Sequence, residues 1–166
     1  MREAVTADAL RCSEMTAATR DGAMRVLAAF LGSDLHYRES AAAYGDGGTP
    51  ALGRALDLFL AHPELGFVWV AEACATAAVA GACVVCYAIS TARGSLVAKL
   101  DDVAVDAGWQ GRGVGSAMLG ALIGHLRQRG VTRIDSSCHD GNAAALRFYL
   151  RLGFRPLGEE RIALIL

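Results

Sequence analysis

Gln110-Gly111-Arg112-Gly113-Val114-Gly115 separates a strand-like run, residues 100–105, from a helix-like run, residues 114–129. A glycine-rich turn that feeds a helix start leaves several backbone N–H groups pointing at one spot, where the helix dipole also favours negative charge. That spot suits a phosphate group. The spacing narrows the choice of phosphate ligand. A P-loop ends in Gly-Lys-Ser/Thr, which is absent, and a dinucleotide fingerprint needs glycine where Ser116 stands. The dinucleotide turn also follows its strand directly, whereas Asp106-Ala107-Gly108-Trp109 intervenes here.

Outward from this loop, three strands are expected at residues 67–72, 81–90 and 96–105, with turns near Thr76 and residues 92–95, forming a meander. The helix 114–129 and a strand at 132–138 then complete a strand–helix–strand unit, whose strands should be parallel and its crossover right-handed. A last helix, 142–152, stops at Gly153, and segments 154–156 and 161–166 are expected to close the sheet. Two N-terminal helices are expected at 14–31 and 51–61, joined through a glycine-rich segment, 40–50, that is a candidate lid or a plain surface loop. Ser116, Gly120 and Gly124 share one helix face, which predicts close approach of that face to the sheet or another helix. The fold class is therefore α/β (α+β): a mixed, mainly antiparallel sheet flanked by helices, with one parallel unit.

The 166 residues are enough for one domain with a sizeable core. Sixteen basic and seventeen acidic side chains give a formal net charge of −1. That balance offers no electrostatic footprint for nucleic acid or an anionic membrane, and points to a small-molecule partner. The N-terminus lacks the apolar core of a signal peptide, so a cytoplasmic location is expected. Residues 73–92 carry no formal charge, yet they are mostly small residues with a β-branched, aromatic patch, which fits two buried strands better than a membrane span. Five cysteines without an extracellular context read as reduced thiols. Cys83 and Cys86, three apart in a strand, would lie about 10 Å from each other, beyond the roughly 7 Å limit for a disulfide. His36, His62, His125 and His139 have no metal-ligand spacing, so no metal is expected.

Two features carry chemistry. Asp101 and Asp102 lie within an otherwise apolar strand beside the proposed phosphate loop, a costly place for carboxylates with neither task nor partner. Strand alternation lets only one of them face a given side unless a bulge intervenes. Asn142 and Tyr149 are two helical turns apart and project to one side of their helix. Asn142 could serve as a simple helix cap, and Tyr149 as an aromatic at the core edge.

The sequence Gln-x-x-Gly-x-Gly after Leu-Asp-Asp-Val-Ala-Val resembles the coenzyme A pyrophosphate loop of the GNAT superfamily of N-acetyltransferases. A second motif, Asn142-Ala143-Ala144-Ala145-Leu146-Arg147-Phe148-Tyr149 with Leu152-Gly153-Phe154, is similar to that family's Asn-x-x-Ala-x-x-x-Tyr…Gly-Phe helix. The resemblance covers residues 97–166. It implies a cosubstrate, acetyl-CoA, whose phosphates are held by Gln110, Gly111, Arg112, Gly113, Val114, Gly115 and Ser116. It also implies that Val103, Ala104 and Val105 bind the acyl and pantetheine portions through their backbones, with Asn142 holding the amide-bearing arm. Tyr149 would protonate the departing sulfur. The acidic strand resembles that of polyamine and related small-amine acetyltransferases, which makes Asp101, or else Asp102, the group that meets the amine. Gln110 replaces the commoner Arg, and Ala107 stands where many members have Pro.

The expected activity is direct acetyl transfer to a primary amine of a small molecule, with no covalent acyl-enzyme. A peptide N-terminal acetyltransferase and a non-catalytic coenzyme A-binding regulatory module are the rivals. A homodimer remains open, and the acceptor has no motif in the N-terminal half.

Overall fold

The computed structural model describes residues 9–33, 37 and 47–159. Their strands form one five-stranded sheet in the order β1-β2-β3-β4-β5: β1 (Leu10–Glu14), β2 (Gly66–Ala73), β3 (Val79–Ser90), β4 (Ser95–Val105) and β5 (Ile134–Ser136). Neighbours are antiparallel except β4 and β5, which run parallel across a helical crossover. The meander and the parallel unit therefore stand where the sequence puts them.

Helices cover both faces. Helices α1 (Arg20–Ser33) and α2 (Gly48–Ala61) lie on one, where Ala23, Val26, Leu27 and Leu56 bury against Val68, Val70, Ala82, Val84 and Ala104. On the other, α3 (Val114–Gln128) sends Met118, Leu119, Leu122 and Leu126 onto Phe67, Trp69, Cys83, Val85 and Leu100. A helix presenting apolar residues at three- and four-residue intervals buries a single stripe in this way. The Trp69 indole N–H donates to the Met118 carbonyl at 3.1 Å, so the largest ring in this layer is buried with its polar atom satisfied. Helix α4 (Ala143–Arg151) leans on the same layer through the half-buried Phe148 and Tyr149.

Several expectations need correction. A strand, β1, precedes the first helix, which starts at Arg20 rather than near residue 14. Helix α2 starts earlier than expected, so Gly48 to Pro50 are helical with Gly47 as N-cap; residues 40–46 of the candidate lid lie outside the described residues. Residues 154–156 follow α4 without forming a strand, and 161–166 lie outside the described residues. The small-residue face of α3 does not pack closely: Ser116 and Gly120 are exposed, and a Cβ on Gly120 or Gly124 would meet nothing within 4 Å among the described residues. Val114, Met118, Leu122 and Leu126 take the inward stripe and rotate the glycines out.

Candidate active site

The site is built where the sheet comes apart. Strand β5 pairs with β4 through only three registers, Ala98 with Ile134, Lys99 with Asp135 and Leu100 with Ser136. The Ser136 hydroxyl donates to the Leu100 carbonyl at 3.1 Å. Beyond Leu100 no described strand continues the ladder on that side of β4. On the β3 side, the register slips between Ala82, opposite Ala104, and Val84, opposite Asp101, so three steps along β4 match two along β3. The extra residue is a bulge, and Asp102 carries the unusual backbone with φ of +48°. A non-glycine residue in the left-handed region is uncommon and asparagine or aspartate tolerates it best.

The bulge resets the alternation. Asp101 and Ala104 face the α1–α2 side, while Leu100 and Val103 face α3. Simple alternation between Asp101 and Asp102 thus does not apply, because Asp102 is the residue at which the strand bends. The Asp101 carboxylate is paired with the Lys99 ammonium at 2.6 Å, the two side chains being 25% and 45% exposed. A partnered acid is one of the sequence's alternatives, through backbone N–H groups or an arginine, and the partner found is Lys99.

Past β4 the chain makes a 3₁₀ turn, Ala107–Trp109, that Asp106 caps by accepting from the Gly108 N–H at 3.0 Å. Arg25 of α1 ties this turn down, pairing with the Asp106 carboxylate and donating to the Val79 carbonyl at 2.8 Å. No sequence signal pointed to Arg25, 81 residues away from its partner. Gln110 turns its side-chain amide back to the Val105 carbonyl at 3.0 Å, while Arg112 lies over the Trp109 ring, 4.7 Å from its centroid. Trp109 is a half-buried anchor for the loop.

Gly111 and Gly113 then adopt φ of +71° and +85°, a left-handed backbone that glycine enters without the Cβ penalty. Gly113 is the N-cap of α3 and has no side chain to satisfy the first turn. The helix start is presented bare. Gly115 faces inward, where a Cβ would lie 3.4 Å from the Phe148 ring and 3.5 Å from Val105. Val114 is buried in the core, so only its backbone belongs to the loop, and Ser116 points outward.

Asn142 is a helix cap: its side-chain oxygen accepts from the Ala145 N–H at 3.0 Å. The cap uses one lone pair of that oxygen and leaves the amide NH₂ out of the cap. Tyr149 is clasped between Phe148 and Phe154, with ring centroids 5.4 and 5.2 Å away in edge-to-face geometry. Burial pushes the Tyr149 phenol above its ordinary range, an interaction with the Ser136 hydroxyl works against this, and the nearby Asp101 carboxylate adds to the rise. It is held as a neutral O–H donor.

These pieces enclose a cleft of about 490 Å³. Its walls are Val26, Ala29 and Phe30 of α1, Val103 to Val105 of β4, Gln110 and Gly115 of the loop, and Ala145, Phe148 and Tyr149 of α4. The volume falls within the roughly 300–1,000 Å³ of small-molecule sites. An open strand edge, a bare helix N-terminus and a neutral phenol therefore share one cavity. Lys99 and Asp101 lie on the adjoining stretch of the sheet.

Comparison with known proteins bears on the fold and the family. A segment of 57 residues is 42% identical to the [ribosomal protein bS18]-alanine N-acetyltransferase of Escherichia coli, covering 34% of this chain and 38% of that one. A segment of 61 residues is 43% identical to the spermine/spermidine N(1)-acetyltransferase of Bacillus subtilis, covering 36% of this chain and 40% of that one. These matches thus span well under half of the relatives' own lengths. Among solved structures, an acetyltransferase of Trypanosoma brucei has the same fold, with a TM-score of 0.68 at 20% identity over 95% of this chain and 99% of that one. The model of the acetyltransferase (GNAT) family matches residues 33–154, which is most of the sequence, and the chain belongs to that family.

Proposed function

We propose that the chain is an acetyl-CoA-dependent N-acetyltransferase that moves an acetyl group directly to a primary amine of a small molecule. The observation that carries this reading is the cleft itself, in which the half of β4 left open on its β5 side and the N-terminus of α3 converge on a phenol held protonated. The residues fit such a cosubstrate. Gly111 to Gly115 offer a backbone cradle and a positive dipole end for phosphates, Arg112 adds a charge at the loop, and Val103 to Val105 offer peptide groups to an extended amide-bearing arm. Bound there, acetyl-CoA supplies an acetyl group activated as a thioester.

The protein's part is proton management and positioning. An alkyl ammonium has a reference pKa near ~10.4 and must lose a proton before it can attack. Asp101, on the sheet face beside the cleft, accepts that proton and passes it to solvent. The bond from nitrogen to the acetyl carbon forms as the bond from that carbon to sulfur breaks. Tyr149 donates its proton to the departing sulfur and is restored by the second proton that the nitrogen gives up. Fixed backbone dipoles along β4 stabilise the charge that develops on the acetyl oxygen. No covalent acyl-enzyme is needed.

The relative that acetylates a ribosomal protein favours a second reading, transfer to a protein N-terminus. Thiol release from acetyl-CoA, followed over mixed small amines and peptides with mass spectrometry of the products, tests both. Acetylated small amines support the proposal, acetylated peptides alone support the rival, and coenzyme A binding without any turnover supports a regulatory module.

A further inference from the structure

A second cavity, of about 260 Å³, lies on the α1–α2 face and is lined by Ala55, Leu58 and Phe59 of α2, Leu65 before β2, and Cys86 of β3. Among the described residues its lining is apolar. Cys86 ties it to the reaction site: it stands opposite Lys99 in the β3–β4 register, and the next residue on that face, Val84, stands opposite Asp101. Directly opposed side chains in an antiparallel pair have Cβ atoms about 5 Å apart. The Asp101 charge is felt on both sides, raising the Cys86 thiol after burial has done so and adding to the rise at Tyr149. Asp101 therefore stands on the Cys86 face of the sheet, two residues before Val103 of the cleft wall, with Lys99 beside it at 2.6 Å.

Resting on the N-acetyltransferase reading, we propose that the acceptor is a free α-amino acid with an apolar side chain, its ammonium on Asp101, its carboxylate on Lys99 and its side chain in the Cys86 cavity. The Lys99–Asp101 pair is a zwitterion of the spacing that an amino acid's own two charges require. Binding exchanges partners within a set of four alternating charges, so no uncompensated charge is taken from water. A polyamine would instead set a further ammonium against Lys99 or in the apolar cavity, and a peptide N-terminus has no α-carboxylate to offer Lys99. The cavity lies below the roughly 300–1,000 Å³ of sites for drug-sized ligands, which suits a single side chain.

The test is thiol release from acetyl-CoA with the purified chain, comparing phenylalanine, leucine and alanine with phenylethylamine, isoamylamine, spermidine, glutamate and an alanine-first peptide. The expected order has kcat/KM for phenylalanine or leucine at least tenfold above the matching decarboxylated amine. A hydrogen-bonded charge contact sets this ratio at about ten- to hundredfold. Lys99→Met should bring the ratio close to one, and Lys99→Arg should restore it. Leu58→Asp, at a side chain 57% exposed and so tolerant of exchange, should raise KM for phenylalanine at least tenfold more than for alanine. Equal use of phenylalanine and phenylethylamine, a ratio unmoved by Lys99→Met, or a preference for spermidine or the peptide would overturn the assignment while leaving the N-acetyltransferase reading intact. No thiol release with any acceptor from a folded protein would overturn both.

Discussion

Replacing Tyr149 by phenylalanine separates chemistry from packing at this site. The ring keeps its edge-to-face contacts with Phe148 and Phe154, each worth about 0.5–1.5 kcal/mol, and loses only the hydroxyl and its interaction with Ser136. A single neutral hydrogen bond contributes about 0.5–1.5 kcal/mol, part of which is returned because the phenylalanine ring has no polar atom to bury. At about 2–4 °C per kcal/mol for a chain of this size, Tm should fall by only a few degrees. Loss of a general acid costs roughly 10²- to 10⁴-fold, or about 3–5 kcal/mol of barrier. The assay is single-turnover acetyl transfer, which removes product release from the measurement, with calorimetry of coenzyme A binding alongside. The pH dependence has a defined sign. A phenol raised above its unfolded value near ~10 favours the folded state fully below that pH, and the contribution is lost as pH climbs through the raised folded value. Tyr149→Phe should remove that alkaline loss of stability. Wild-type single-turnover rates in a folded Tyr149→Phe protein would refute the general-acid role.

Gly113→Glu places a side chain on a left-handed backbone and a negative charge at the bare start of α3, so coenzyme A affinity by calorimetry should drop at least a hundredfold; unchanged affinity in a folded variant would remove the loop from the site. Asp101→Asn should depress turnover near neutral pH and recover partly at alkaline pH, where more of the acceptor is already neutral; if Asp102→Asn shows that profile instead, the assignment passes to the bulge residue. Gly66→Ala should cost about 2–5 kcal/mol by urea denaturation, because φ there is +150° and a Cβ would sit 2.1 Å from the Val85 carbonyl oxygen. A loss below 1 kcal/mol would mean that the β2–β3 pairing yields easily.

The meander, the glycine loop and the helix that follows it were legible because each is written locally, as alternation, turn chemistry or a helical stripe. Strand β1 was not. In Leu10-Arg11-Cys12-Ser13-Glu14 only Leu10 is buried, and the segment becomes a strand by pairing with residues about sixty positions on, from Ala73 to Trp69. The bulge at Asp102 was anticipated only as an exception to alternation, since a register slip against β3 has no signature in β4 itself. The outward turn of Gly120 and Gly124 reflects competition for one helix face, in which large apolar side chains bury more area than glycine can. At the site, Asp101, Tyr149 and the loop glycines stand out in the sequence through their spacing and the family resemblance, and of these Tyr149 and Gly115 line the cleft. Lys99 and Arg25 were missed because their meaning lies in their partners, and a lysine or arginine in an amphipathic segment otherwise reads as a solvated surface residue.

The stacking of Arg112 on Trp109 has an optical consequence. The chain holds only two indoles, and Trp69 is sealed in the core with its N–H bonded to a helix carbonyl. Trp109 sits in the glycine loop beneath a guanidinium, within the reach of anything that recruits that charge. Emission from Trp69 supplies a constant background, and emission from Trp109 follows the loop. The protein carries its own fluorophore in the turn that leads into the glycine loop, so an unlabelled titration with coenzyme A, repeated in Trp109→Phe, would test the proposed occupancy of that loop.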